Sequence, residues 1–86
     1  PMAMFNLALM YEHGRAVEKD IAKAAKFYRQ AADAGDPQAM VNLALMYKTG
    51  QGVEEDLEKT RTWLKKAADL GHKQAIEELK KIDKTE

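Results

Sequence analysis

The chain contains no cysteine and no serine among its 86 residues. It can therefore form no disulfide, thiolate zinc site or cysteine nucleophile, and it also lacks a serine nucleophile. No glycine-rich phosphate loop is present, and the longest apolar run, residues 7–11, is far shorter than the roughly 20 residues that span a bilayer. These absences argue against covalent catalysis, nucleotide binding and membrane insertion.

The charges of the chain cancel, with 14 basic and 14 acidic residues. Because residues 1–43 and 44–86 are also each neutral, no basic field exists that would attract nucleic acid or an anionic membrane surface. The lack of cysteine slightly favours the cytoplasm. The compartment is left unknown, because Pro1 aligns with a helix start at Pro37 and we expect upstream sequence, where a targeting signal would lie.

Residues 3–38 recur at residues 39–74, which gives the chain a period of 36 residues. Of the 36 aligned positions, 18 are identical, and the segment from Asn6 to Tyr11 recurs unchanged from Asn42 to Tyr47. A fixed period of roughly 20 to 50 residues indicates a solenoid, in which each unit buries its apolar face only against its neighbours. The chain is therefore predicted to be a stack of one structural unit.

Glycine and proline divide each repeat into two helices. Asp36 and Pro37 form a strong helix start, because aspartate caps exposed N–H groups and proline at the first helical position gives up no needed donor. Gly50 marks the end of the same helix, since glycine can adopt the positive φ that closes a last turn. The predicted bounds are about 2–13 and 37–49 for the first helix of each repeat, and about 20–34 and 56–70 for the second.

These bounds predict an all-α fold, an α-solenoid of stacked antiparallel helix pairs with about five helices in one domain over residues 1–86. The first repeat covers about 1–36 and the second about 37–72. A third copy becomes charged on one side, so we expect a C-terminal capping helix over about 73–83. The first helix of the chain is apolar around most of its surface, and we expect upstream repeats or self-association to cover it.

The pattern A-x-x-x-L-A-x-x-Y-x-x-G-x-(A/G)-V-x-x-D-x-x-K, followed by A-A-x-x-G, resembles the Sel-one-like repeat (SLR) family, a relative of the tetratricopeptide repeat. The resemblance extends over essentially all of the chain. It implies a right-handed superhelix whose concave surface is formed by the first helix of each repeat, and a role as an adaptor that assembles protein complexes. Ala16 departs from the pattern at the second loop glycine, which would cost about 1 kcal/mol if that position needs a positive φ.

By similarity to tetratricopeptide units, the concave face is formed by residues related by the 36-residue period. In each repeat two apolar residues lie four positions apart on one helix face, and the two pairs are expected to form the apolar floor of a groove. Polar residues one turn further on would form its rim, a layout suited to a partner's helix or extended peptide. Alternatively, the leucines of the floor are ordinary packing residues. The predicted partner-binding residues are Phe5, Leu9, Glu12, His13, Val41, Leu45, Lys48 and Thr49, and Met2 and Gln38 are further concave positions.

A pair of asparagines is a further candidate site. Asn6 and Asn42 share a repeat position at which some tetratricopeptide proteins clamp a C-terminal carboxylate, but the basic residues of such a clamp are replaced here by Phe5 and Leu9. The alternative for these asparagines is hydrogen bonding to backbone between helices.

The histidines and the acidic run are the remaining candidates for a metal site. The two histidines, His13 and His72, lack the H-E-x-x-H spacing of a zinc site, and the acidic run at residues 54–56 lacks the alternating ligands of an EF-hand loop. The sequence therefore predicts no metal site and no cofactor.

The leading hypothesis is a protein-protein interaction scaffold or adaptor, not an enzyme, that binds a protein or peptide on its concave face. The alternative is a structural or self-association segment at the C-terminal end of a longer repeat array, forming a homo-oligomer through its N-terminal face. A third hypothesis is a hydrolase, as suggested for some bacterial relatives, which the absence of serine and cysteine disfavours. Neither nucleic acid nor membrane insertion is expected.

Overall fold

The computed structural model describes the backbone of residues 2–85 and the side chains of residues 3–82. The predicted concave position Met2 lies outside the described side chains. In this range the five-helix α-solenoid predicted from the sequence is confirmed, with no strand and with no helix long and apolar enough to cross a membrane. The helices are α1 (Met2–His13), α2 (Ile21–Asp33), α3 (Pro37–Thr49), α4 (Leu57–Asp69) and α5 (Lys73–Thr85).

Aspartates begin three of these helices. Asp20 accepts a hydrogen bond from the N–H of Lys23 at 3.1 Å, and Asp56 makes the equivalent bond to the N–H of Lys59 at 3.0 Å. Asp36 caps α3, whose first residue is a proline. Each cap satisfies a donor that the helix cannot use, which stabilises the helix by about 1 kcal/mol.

The loops inside the two helix pairs are closed in the same way. The N–H of Asp20 donates to the carbonyl of Tyr11 at 2.9 Å, and the N–H of Asp56 donates to the carbonyl of Tyr47 at 2.9 Å. Each loop is thus tied to the last turn of the helix before it and leads directly into a capped helix. The 36-residue period of the sequence is therefore also a period of backbone hydrogen bonds.

The centre of the stack is α3, which packs against both α2 and α4. Seven residues of α3 are buried, whereas Ala8 is the one described residue of α1 that is. The reason is that, among the helices of residues 2–85, α2 is the one against which α1 packs extensively. The large apolar residues of α1 are consequently only half-buried: Met4, Phe5, Leu7, Leu9 and Met10.

Small side chains let α2 approach its neighbours on both sides. Ala24, Ala25, Ala31 and Ala32 are all at most 3% exposed, and an alanine adds only a methyl group between two helix backbones. At the position equivalent to Ala24, the second repeat has Thr60, which is fully buried. Its hydroxyl donates to the carbonyl oxygen of residue 56 at 2.9 Å, so burial leaves no polar atom unpaired.

Gly52, in the loop between α3 and α4, lies close against the first repeat at Ile21. Its φ is 73°, and a Cβ added there would lie 2.6 Å from the carbonyl oxygen of Ile21 and 2.8 Å from its Cγ2. Only glycine fits, because both the backbone conformation and the space exclude a side chain. The equivalent residue of the first repeat, Ala16, also has a positive φ, 63°, but is exposed to solvent.

This difference predicts opposite effects of two substitutions at equivalent positions. Gly52→Ala should lower the free energy of unfolding by about 2 to 3 kcal/mol, because it adds both left-handed strain and a clash with the Ile21 carbonyl. Ala16→Gly should raise it by about 1 kcal/mol, because it removes strain alone. Urea denaturation followed by circular dichroism at 222 nm measures both. A Gly52→Ala effect as small as that of Ala16→Gly would show that the repeats do not touch at this loop.

Candidate functional site

A groove of about 290 Å³ lies between α1 and α3, at the ends of these helices that precede their loops. Both helices are the first of their pairs, and the intervening α2 holds them side by side. The groove brings together five of the eight predicted site residues from two repeats. Its lining consists of Leu9, Glu12, His13, Asn42, Leu45, Met46, Thr49 and Gln51.

The other three predicted site residues lie elsewhere. The prediction that Val41 belongs to the groove floor is wrong for this structure, because Val41 has no exposed surface and packs in the core between helices. Phe5 is half-buried and meets the ring of Tyr28 edge-on, with 5.7 Å between ring centroids. Lys48 points toward α5, where its Nζ lies 3.8 Å from Oε1 of Glu78.

The Glu12 carboxylate lies on the inner wall of the groove and is held in place by its neighbours. The hydroxyl of Tyr28, on α2, donates to Oε1 of Glu12 at 2.5 Å, and Nε2 of His13 lies 3.9 Å from the same oxygen. Burial, the hydrogen bond to Glu12 and the negative charge of Glu12 all raise the pKa of Tyr28 well above its ordinary value, and a bond from Asn42 opposes them. Tyr28 therefore stays neutral and keeps donating to Glu12 at any physiological pH.

The second repeat replaces this pair with a different one. At the positions equivalent to Glu12 and Tyr28 stand Lys48 and Leu64. Leu64 is fully buried and has no hydroxyl that needs a hydrogen bond, so the second repeat needs no acceptor at the position of Lys48. Lys48 is then available for Glu78, and the fixed carboxylate belongs to the first repeat alone.

A hydrogen-bond chain secures the wall formed by α3. His72, at the start of α5, accepts from the N–H of Ala75 through Nδ1 at 3.4 Å, so its Nε2 carries the proton and donates to Oε1 of Gln38 at 2.9 Å. Gln38 in turn donates to Oδ1 of Asn42 at 3.0 Å. Asn42 thus bonds to a side chain rather than to the backbone that the sequence suggested. Asn6 is exposed and lines an adjoining hollow.

Two hollows adjoin the groove and share residues with it. One, of about 390 Å³, includes Leu9 and His13 together with Arg15, and the other, of about 400 Å³, includes Glu12 and His13 together with Lys19. The three spaces therefore meet along the last turn of α1. The resulting surface is an open channel and not an enclosed pocket.

Three residues of the groove lie outside the predicted partner-binding set: Asn42, which the sequence suggested only as a clamp position, and Met46 and Gln51. Met46 follows Leu45 directly, and the concave positions were carried over at helical spacings that skip it. Gln51 lies in the loop after α3, where no helical periodicity applies. The one signal for Gln51 was its position directly after the helix-ending Gly50.

No group of three or more histidine, cysteine, aspartate or glutamate residues suited to holding a metal ion occurs within the described part of the chain. Asp56, the last residue of the acidic run, uses its side chain to cap α4.

Removing the Tyr28 hydroxyl gives a pH-dependent test of this geometry. Tyr28→Phe should cost about 1 to 3 kcal/mol of unfolding free energy at pH 7, because a part-buried acceptor loses its donor. Since the folded state raises the pKa of Tyr28, that contribution is complete below the unfolded pKa of about 10 and is lost as the pH rises above it.

The gap between the wild type and Tyr28→Phe should therefore narrow by about 1 kcal/mol between pH 10 and pH 11 in urea titrations. Tyr47→Phe is the matched control, because Tyr47 makes no side-chain hydrogen bond to any residue whose side chain the structure describes. A gap that stays constant up to pH 11 would contradict the buried hydrogen bond.

Comparison with known proteins supports this description of the fold. A Sel1 repeat protein from Oxalobacter formigenes superposes with a TM-score of 0.92 at 37% identity, covering 94% of this chain and 61% of that one. A protective antigen of uropathogenic Escherichia coli strains, displaying an SLR fold, gives 0.83 at 38% identity over 86% of this chain and 16% of that one. Helicobacter pylori cysteine rich protein B gives 0.84 at 29% identity, over 87% and 56%.

The chain thus spans less than two thirds of each of these structures, and no protein with a curated description matches it. The sequence pattern of the Sel1 repeat matches it twice in succession, at residues 1–36 and 37–72. With two consecutive repeats and five helices arranged as in its structural neighbours, the chain belongs to the Sel1 repeat family.

Proposed function

We propose that this chain is a protein-interaction module that binds a peptide segment or a helix of a partner in the groove between α1 and α3. Sel1 repeats generally mediate protein-protein interactions and form helical scaffolds that are typically without enzymatic activity. The observation that carries the proposal is the meeting of half-buried leucines from two repeats on the floor of one open groove, Leu9 from α1 and Leu45 from α3.

The size of the groove favours a peptide over a small molecule. Its volume of about 290 Å³ lies at the lower limit of small-molecule sites, which are roughly 300 to 1,000 Å³ and enclose most of their ligand. The groove holds about one or two side chains. Because it continues into two adjoining hollows, an extended ligand can place successive side chains along the same channel.

The distribution of polarity supports the same conclusion. Leu9 and Leu45 form the floor, while His13 and Thr49 are exposed at the edge. An apolar centre with a polar rim is typical of protein-protein interfaces, in which a few buried anchors carry most of the binding energy.

Self-association through α1 is the second candidate, favoured by the half-buried apolar residues on that helix. One feature of the repeats limits how α1 could be covered. In the observed stack, the missing side chain of Gly52 leaves room for the carbonyl of Ile21. A further repeat stacked on α1 in the same way would bring its own carbonyl against Ala16, whose Cβ fills that room. Another repeat could therefore cover α1 only if it packed differently from the way in which the two repeats of this chain pack on each other.

Light scattering coupled to size-exclusion chromatography separates the two candidates. The proposal predicts a monomer at protein concentrations up to about 1 mM. A dimer with a dissociation constant above this value would not form to a useful extent under these conditions. A concentration-dependent dimer that Met4→Glu converts to monomer would favour self-association instead.

The groove itself is tested with phage-displayed nonapeptide libraries panned on the intact chain. Leu9→Asp combined with Leu45→Asp should weaken the selected peptides at least about tenfold, because two apolar anchors are lost and charge is placed on the floor. Thr49→Tyr, at an exposed position on the rim, should weaken them by filling the groove. Fluorescence anisotropy measures the affinities.

Leu70→Asp is the matched control, since Leu70 is 58% exposed and lies outside the groove. It should leave both the fold and the binding unchanged. Peptides that bind the double variant and Thr49→Tyr as tightly as the wild type would refute the proposal. If the double variant loses its helical circular dichroism, the two leucines are packing residues, and Thr49→Tyr alone decides the question.

A further inference from the structure

Among the eight residues that line the groove, Glu12 alone carries a formal charge at neutral pH. The other polar groups are three amide or hydroxyl side chains and His13. The side chain of Glu12 is 32% exposed, so it lies within reach of a ligand without being fully solvated. The adjoining hollows contain the cations Lys19 and Arg15, so the negative charge is confined to the groove itself. A ligand that complements the groove therefore brings a positive charge to the Glu12 wall.

The carboxylate is held in place from below. Tyr28 has no exposed surface and binds Oε1 of Glu12 at 2.5 Å, and the contact from His13 goes to the same oxygen, so Oε2 is used by neither. A side chain fixed in this way loses little conformational freedom when it pairs with a ligand. The pairing is correspondingly stronger than for an ordinary surface glutamate.

The neighbouring polar side chains are already engaged. The hydroxyl of Thr49 donates to the carbonyl of Leu45 at 3.0 Å, and Oδ1 of Asn42 accepts from Gln38 at 3.0 Å. Gln51 and the lone pairs of Thr49 can also accept hydrogen bonds, but the Glu12 carboxylate is the one charged acceptor in the groove lining.

The apolar floor lies next to this carboxylate. Lysine and arginine have long apolar stems that pack on such a surface while their charged ends reach a polar group at its edge. Leu9 is three residues before Glu12 on α1, so the two share one helix face, and Leu45 and Met46 line the opposite side.

We propose that the groove selects partner segments that carry an arginine or lysine beside an apolar residue, with the cation bound by Glu12 and the apolar side chain packed on Leu9, Leu45 and Met46. This inference rests on the proposed function, because it specifies the chemistry of the peptide that the groove binds. The second repeat has Lys48 at the position of Glu12, so the cation site is confined to the first repeat.

The test uses three phage libraries of nonapeptides with random flanks and a fixed central residue, arginine, glutamine or glutamate. On the wild-type chain the arginine library should be enriched about tenfold over the glutamine library, and further over the glutamate library, as expected for a charge-assisted hydrogen bond. Glu12→Gln should abolish this preference while the fold is kept, because glutamine can still accept the Tyr28 hydrogen bond. Glu77→Gln, on the exposed side of α5, is the matched control and should keep the preference.

Tyr28 acts as a positioning residue and has its own readout. Tyr28→Phe should reduce the enrichment of the arginine library without changing that of the glutamine library, because the carboxylate remains but is no longer fixed. A variant that merely destabilised the fold would reduce both.

Equal enrichment of the three libraries on the wild type, or an arginine preference that survives in Glu12→Gln, would overturn the inference. The proposed function survives that result if the enriched peptides are still lost in the Leu9→Asp and Leu45→Asp double variant. No enrichment from any library would overturn both.

Discussion

The structure depends on the close packing of the second helix pair against α2. A single helix pair of this size cannot bury its apolar face, so each repeat needs a neighbour. The contact is close because α2 presents alanines to its neighbours. It is also close because Gly52, which has no side chain, lets the loop between α3 and α4 lie against the carbonyl of Ile21. This contact sets the distance and register between α1 and α3. The groove between them is a consequence of the stacking.

Departures from the repeat give the groove its chemistry. Where the first repeat has the buried hydroxyl of Tyr28 and the acceptor Glu12, the second has the buried Leu64 and the cation Lys48, which pairs with Glu78 of α5. Both positions of the pair differ between the two repeats, because a buried hydroxyl needs an acceptor and a buried leucine does not. The residues that the two repeats share build the scaffold, and the residues that differ give the proposed groove its charge.

Much of the fold could be predicted from the sequence because its determinants are local. Asp36 with Pro37 starts α3 and Gly50 ends it, and these signals need no knowledge of tertiary structure. The positive φ of Ala16 could be anticipated for the same reason, from its alignment with Gly52.

The candidate site was predicted less well because it depends on the angle at which helices pack. Periodicity placed Val41 and Leu45 on one face, yet Val41 is completely buried in the core and Leu45 stays accessible in the groove. The pairing of Lys48 with Glu78 depends on how α5 docks, and the role of Gln51 depends on the path of a loop. None of these is encoded in the spacing of residues along one helix.

The central claim is that ligands of this chain occupy the groove between α1 and α3, and the methionines provide a direct measurement of it. Met40 and Met46 are both buried on α3, at 6% and 5% exposed, but Met46 lines the groove and Met40 does not. Met4 lies on α1 and is not part of the groove lining. The chain is labelled with ¹³C at the methionine methyl groups and titrated with an arginine-containing nonapeptide selected on it. The Met46 signal should shift in a saturable manner while those of Met40 and Met4 stay in place. A saturable shift of Met4 with Met46 unchanged would show that the ligand binds elsewhere and would contradict the account.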